Sequence, residues 1–147
     1  CEAEKFDLRA WRVEGVGAET IRPQVLYEFD EELRPSGFNR NAFLACYGMA
    51  ECSLAVSFAP LGRGLSVDRV DADHLALNDH ARPTDSAIVE RLSEFVNCGV
   101  PLSSFEVEVR SDTGKVIPER RIGPIHVRAP SVMSGSFNET GITARTH

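Results

Sequence analysis

Residues 42–47, Ala-Phe-Leu-Ala-Cys-Tyr, form an unbroken apolar run that ends at Gly48. Six residues are short for a buried helix, and the run has no polar face to show to water. It therefore fits a strand covered on both sides, as in a parallel sheet. The residues before it agree. Trp11 to Val16 alternate large apolar and polar side chains into Gly17, the pattern of a short strand entering a tight loop. From about Arg22 to Leu33, the residues Val25, Leu26, Phe29 and Leu33 recur at helical spacing, with Pro23 tolerable in the first turn and Pro35-Ser36-Gly37 as the stop. A second helix is expected from about Ala50 to Phe58. Strand, helix, strand, helix in short steps predicts an α/β fold with a parallel βα lobe.

The rest of the chain changes character. Between about Pro60 and Arg91, strand-like pieces such as Leu65 to Val70 sit among Asp, His, Asn and Pro, and the stretch reads as an excursion or insertion. Beyond it, Glu94 to Asn97 and Phe105 to Val109 alternate, Asp112-Thr113-Gly114 suits a hairpin turn, and Ile122 to Val127 is strand-like again. The expected division is an α/β lobe over 1–80, an insertion or linker over 81–92, and a β-rich, barrel-like, antiparallel subdomain over 93–147.

Several functional classes are disfavoured. The 147 residues carry a net charge of −6 with acids and bases interspersed, so no basic stripe offers itself to a nucleic-acid backbone or an anionic membrane. No apolar run approaches the roughly 20 residues of a bilayer span, and the first residues lack the apolar core of a signal peptide. A cytoplasmic location is the expectation. Cysteines 1, 46, 52 and 98 have no CxxC pairing and read as reduced, mostly buried thiols. Histidines 74, 80, 126 and 147 lack HxxxH or HExxH spacing and read as solvated. Cys1 stands where a natural start has Met, so the sequence reads as an internal piece of a longer protein.

Three segments could carry chemistry. Gly15-Val16-Gly17-Ala18-Glu19 lies between a strand and a helix, where α/β folds place nucleotide loops. Thr20 stands where a dinucleotide fingerprint needs its third glycine, and spacing alone reads more readily as a plain tight turn. Tyr47-Gly48-Met49-Ala50-Glu51 leaves the carboxyl end of the buried strand. Tyr47 can stack on a base, and Glu51 can hold a Mg²⁺ that neutralises phosphate oxygens. The same residues equally fit a core tyrosine and a solvated glutamate favoured by a helix dipole. Gly123 to Phe137 is a strand leaving into a turn-rich loop, which alone means a sheet edge.

Together and in this order, the segments resemble the adenylate-forming superfamily of acyl-CoA synthetases, fatty acyl-AMP ligases and peptide-synthetase adenylation domains. The resemblance covers nearly the whole chain, and Tyr47 to Glu51 is its most specific element. It implies a piece of the large N-terminal domain. Gly17, Ala18 and Glu19 would form part of the adenine pocket. Tyr47, Gly48, Met49 and Ala50 would contact AMP or ATP, and Glu51 would bind Mg²⁺. Cys98-Gly99-Val100-Pro101 looks like the family's glycine-proline turn. Pro124, Ala129 and Ser136 depart from the third motif, where the family has a glutamate, a glycine and an aromatic residue, and Met49 lacks the hydroxyl of the family's threonine. The family's phosphate loop, ribose-binding aspartate, hinge and catalytic lysine have no counterpart in this sequence, so the resemblance implies no turnover by this chain alone. AWRVEGVGAETIRPQ and the 46 residues, 52 to 97, between Glu51 and Cys98 look most like fatty acyl-AMP ligases, whose insertion disfavours CoA. The implied parent reaction joins a fatty acid to ATP, giving acyl-AMP and pyrophosphate, with acyl carrier protein or CoA as acceptor. The alternatives are a long-chain acyl-CoA synthetase and a non-catalytic nucleotide-binding or scaffold module.

Overall fold

The computed structural model describes residues 6–85 and 90–135; Cys1, Ser136, Phe137 and His147 lie outside the described residues. The first strand, β1, covers Glu14–Val16 and runs parallel to β2, Phe43–Met49, with Glu14, Gly15 and Val16 opposite Phe43, Leu44 and Ala45. Between them lies helix α1, Pro23–Leu33, which starts with Pro23 in its first turn. Pro has no N–H to lose there. Gly37, at φ 90°, closes the 3-10 turn that follows α1. Inside the helix the buried Asp30 carboxylate pairs with Arg34 one turn later. A buried carboxylate tolerates such a place only when partnered.

Leu26, Phe29 and Leu33 turn inward onto Phe38, Ala42 and Phe43. Val25, expected on that face, points outward. The rings of Trp11, Phe29, Phe38 and Phe43 meet edge to face or tilted, at centroid separations of 5.2–6.4 Å, geometry that adds to simple burial. Phe43 is 2% exposed and Ala45 0%.

The predicted second helix does not form. Ala50–Cys52 make a single 3-10 turn, and Leu54–Phe58 become β3, antiparallel to β2. Nor does β2 stop at Gly48; it runs on to Met49, with a register shift between Tyr47 and Gly48. The edge of β2 decides the outcome: paired there, residues 54–58 bury Val56 and Ser57. The reversal runs through Ser53 at φ 63° and Leu54 at φ 125°, two positive values outside glycine, each costing on the order of 1–3 kcal/mol unless the surroundings impose it. Among the described strands only β1 and β2 pair in parallel; β6, Val100–Pro101, adds antiparallel to β3 and completes the sheet order β1-β2-β3-β6.

The stretch read as an insertion holds more order than its composition suggested. β4, Val67–Asp71, pairs antiparallel with β5, Leu92–Val96. Between them α2, Ala72–Asn78, begins where the Asp71 side chain accepts from the His74 backbone N–H at 2.9 Å. Past α2, the chain is tied to residues 120–122 by Ala81 N–H donating to Arg120 O at 2.8 Å and Ile122 N–H to Asp79 O at 3.1 Å. The last pair, β7 (Glu106–Val109) and β8 (Ile125–Arg128), is antiparallel as predicted. Ser111 N–H donates to Lys115 O, and Gly114, at φ 77°, lies in the expected turn. The described strands make three open sheets and no closed barrel.

Two measurements test this packing. Phe43→Ala should lower unfolding free energy by about 3–5 kcal/mol in a denaturant titration. His80 sits 3.4 Å, ring nitrogen to ring nitrogen, from His74, and burial first, then Arg121, His74, Arg120 and Arg82, push its pKa down. The unfolded chain therefore binds a proton that the fold resists, and stability should fall as pH drops below the ordinary histidine range. Histidine NMR titration should place His80 below a free imidazole.

Candidate functional site

Parallel pairing makes β1 and β2 end on the same side, so the loop after one lies beside the exit of the other. A cleft of about 400 Å³ opens there. Ala18, Glu19, Thr20 and Ile21 form one side, Cys46, Tyr47 and Gly48 the floor, and Glu94, Phe95, Val96 and Cys98 the far side. A second cleft of about 550 Å³ lies behind the same loop, lined by Gly17 and Glu19 together with Arg22 and Val25. Ala18, Glu19, Tyr47 and Gly48 thus share one cavity, and Gly17 borders the next. Met49, Ala50 and Glu51 lie further along the chain, outside both.

Backbone proximity explains two of the glycines. A Cβ on Gly17 would sit 2.7 Å from Cys46 Sγ and 2.8 Å from Cys46 O. Cys46 closes that contact by donating its thiol to Val16 O at 3.3 Å. A Cβ on Gly48 would fall 1.9 Å from the Leu54 carbonyl oxygen, so the β2–β3 reversal is possible only without a side chain there. Sequence reasoning gave Gly48 to a ligand; the structure gives it a packing reason that is sufficient by itself.

Tyr47 is half-buried, and Glu51 is exposed at the 3-10 turn. Among the described residues the Glu51 carboxylate has no hydrogen-bond or ion-pair partner, while its neighbour Cys52 is buried with its thiol pKa raised, by burial first and by Glu51 second. A carboxylate left open in this way suits a hard cation that keeps most of its shell from water and phosphate. No group of three or more His, Cys, Asp or Glu gathers to hold a metal among the described residues. The thiol of Cys98 also titrates high, by burial and then by Cys46, and its carbonyl accepts from Ser57 Oγ at 3.0 Å.

The third segment, of uncertain meaning alone, is drawn to the second. Met133 N–H donates to Glu51 O at 2.7 Å, Ser131 Oγ to Cys52 O at 2.9 Å, and Ser53 Oγ to Ser131 O at 3.2 Å. Sequence reasoning missed Phe95 and Glu94, which β5 places across the cleft from Tyr47, and Thr20 and Ile21, which follow Glu19 in the loop after β1. It also missed Ser131. No local pattern announces a contact between residues 78 or 79 positions apart.

Residues 2–137 match the family model described as AMP-binding enzyme. A Caulobacter vibrioides protein provisionally named an acyl-CoA synthetase is 42% identical over 142 residues, covering 97% of this chain and 25% of that protein. A solved structure from a study of fatty acyl-adenylate ligases of E. coli and L. pneumophila superposes with a TM-score of 0.92 at 38% identity, covering 98% of this chain and 26% of that one. A fatty acyl-adenylate ligase of L. pneumophila, solved with acyl adenylate and pyrophosphate, gives a TM-score of 0.84 at 27% identity, covering 93% and 24%. The chain spans about a quarter of the length of these relatives. Among the described residues, no helix is long and apolar enough to cross a membrane.

Gly48→Ala tests the close approach under the cleft. The Cβ would meet backbone, which cannot swing away as a side chain can, so the loss should reach or exceed the roughly 1–3 kcal/mol of ordinary overpacking. Denaturant midpoints of the variant and the parent measure it.

Proposed function

Because the chain belongs to the AMP-binding enzyme family, we propose that it forms the base-binding part of an enzyme that adenylates a fatty acid with ATP, giving acyl-AMP and pyrophosphate. The observation that carries this reading is the shared cavity of Ala18, Glu19, Tyr47 and Gly48, with the open carboxylate of Glu51 just beyond it. Tyr47 offers a ring face to adenine. Gly17, Ala18 and Glu19 supply a backbone edge that a planar base can approach closely. Met49 and Ala50 carry the chain from the base towards the phosphates. Glu51 serves Mg²⁺, which when bound would neutralise phosphate oxygens.

No residue of this chain acts as general base. Catalysis of such a displacement rests on positioning and charge neutralisation, and this chain contributes position. Alone it performs no turnover. The acceptor is a carrier-protein thiol; support comes from the long segment between Glu51 and Cys98, from which β5 enters the cleft wall, and from the likeness to fatty acyl-adenylate ligases. A cytoplasmic site of action fits substrates of this kind. A scaffold role would call for Glu51 buried against a base and Tyr47 turned into the core, and neither holds: Glu51 is exposed and Tyr47 lines the cleft.

The test is ATP-dependent pyrophosphate release by an enzyme of the relatives' full length carrying this segment, with a panel of fatty acids, with and without CoA. Fatty-acid-dependent release that yields acyl-AMP and no acyl-CoA is expected. Release coupled to acyl-CoA would replace the carrier protein by CoA, and no release with any acid would overturn the enzymatic reading.

A further inference from the structure

The turn that presents Glu51 is held from outside itself. Within the turn, Ser53 N–H donates to Ala50 O at 3.1 Å. Its exit is backbone that relaxes unless something imposes it, Ser53 at φ 63° and Leu54 at φ 125°. The peptide oxygens of Glu51 and Cys52 both turn to one loop, where Met133 N–H and Ser131 Oγ meet them at 2.7 and 2.9 Å. Ser53 Oγ returns a hydrogen bond to Ser131 O at 3.2 Å. Ser131 is therefore donor to the turn through its side chain and acceptor from it through its backbone. The Glu51 carboxylate, by contrast, has no side-chain partner among the described residues to aim it.

We infer that Ser131 is a positioning residue for Glu51: it splints the 50–54 turn so that the carboxylate stays where a nucleotide-bound divalent cation can meet it. The inference rests on the reading of Glu51 as the metal-facing carboxylate. Groups behind a metal ligand fix its orientation, and their loss costs about 10–100-fold in metal affinity or activity. Ser131→Ala removes the donor to Cys52 O and leaves the backbone bonds. The turn then relaxes, and the carboxylate spends less time in place. The cost falls on metal affinity, and saturating metal recovers the rate.

The experiment measures fatty-acid-dependent pyrophosphate release against Mg²⁺ concentration in an enzyme of the relatives' full length carrying this segment. Wild type, Ser131→Ala, Ser131→Thr and Glu51→Gln are compared, each with its melting temperature. The half-saturating Mg²⁺ concentration should rise about tenfold in Ser131→Ala, with kcat at saturating Mg²⁺ retained. Ser131→Thr, which keeps the hydroxyl, should stay close to wild type, and Glu51→Gln should rise at least as far as Ser131→Ala. A Mg²⁺ curve unchanged in Ser131→Ala while Glu51→Gln shifts would overturn the positioning role and leave the Glu51 reading standing. Equal defects in the alanine and threonine variants would show packing in place of positioning. An unshifted Glu51→Gln would remove the metal reading and this inference with it. If Ser131→Ala does not fold, Ser53→Ala, which removes the return bond at an exposed residue, carries the same test with a smaller shift in the same direction.

Discussion

The parallel pairing of β1 with β2 is the constraint from which the site follows. Two parallel strands joined by a helix must both point their carboxyl ends the same way, so the loop 17–21 and the chain leaving Tyr47 are neighbours by topology. That pairing holds because Phe43 and Ala45 are buried at the start of β2, with Phe43 beneath the apolar face that α1 brings over the sheet. The residues that fix the strand and the residues that face the cleft are consecutive. Phe43, Ala45, then Cys46 and Tyr47 pass from core to cavity within five positions, so the core sets where the tyrosine stands.

Close backbone approach does the rest. Gly17 lies against Cys46 and Gly48 against Leu54, each closer than a Cβ would allow. An ordinary side chain at either place would push the loop or the hairpin outward and widen the gap between Ala18 and Tyr47. The same economy explains the reversal at Ser53 and Leu54, since β3 can begin so soon after β2 only by passing through backbone that most residues avoid. The loop 131–133 supplies the outside bonds that such a turn needs.

What could be read in the sequence was what is local and strongly patterned. The apolar run of β2, the spacing of Leu26, Phe29 and Leu33, the breakers at 35–37 and the alternation of β7 and β8 each carry their structure in adjacent residues. Residues 50–58 misled because a short stretch of small and apolar residues fits a helix or a strand equally, and only the β2 edge beside it decides. The sequence also hid α2, whose signal is one capping aspartate, Asp71, amid polar residues. In the site, the strand ends that carry Gly17 to Glu19 and Tyr47 to Glu51 were legible, and the structure brings Ala18, Glu19, Tyr47 and Gly48 of these to one cleft. Phe95, Glu94 and Ser131 were not, because each reaches the site across long stretches of chain that no window of sequence contains.

The charge of the cleft shows how the work of the site is divided. Its lining carries two carboxylates, Glu19 and Glu94, and no basic side chain; Arg69, outside the lining, pairs with Glu94 at 2.9 Å, the adjoining cleft brings Arg22, and the whole chain is six charges negative. Such a surface suits the uncharged base of a nucleotide, through ring stacking and backbone edges. It offers no cationic side chain to a polyphosphate, and Glu19 opposes one within about 8–10 Å, the screening length of physiological salt. Phosphates bound beside this cleft would need their charge lowered by groups other than its lining side chains. On the proposed reading, a divalent cation at Glu51 would lower that charge from just beyond the cleft. Base recognition and phosphate neutralisation would then fall to different residues of this chain, the cleft lining and Glu51, so the cleft by itself would contribute position rather than catalysis.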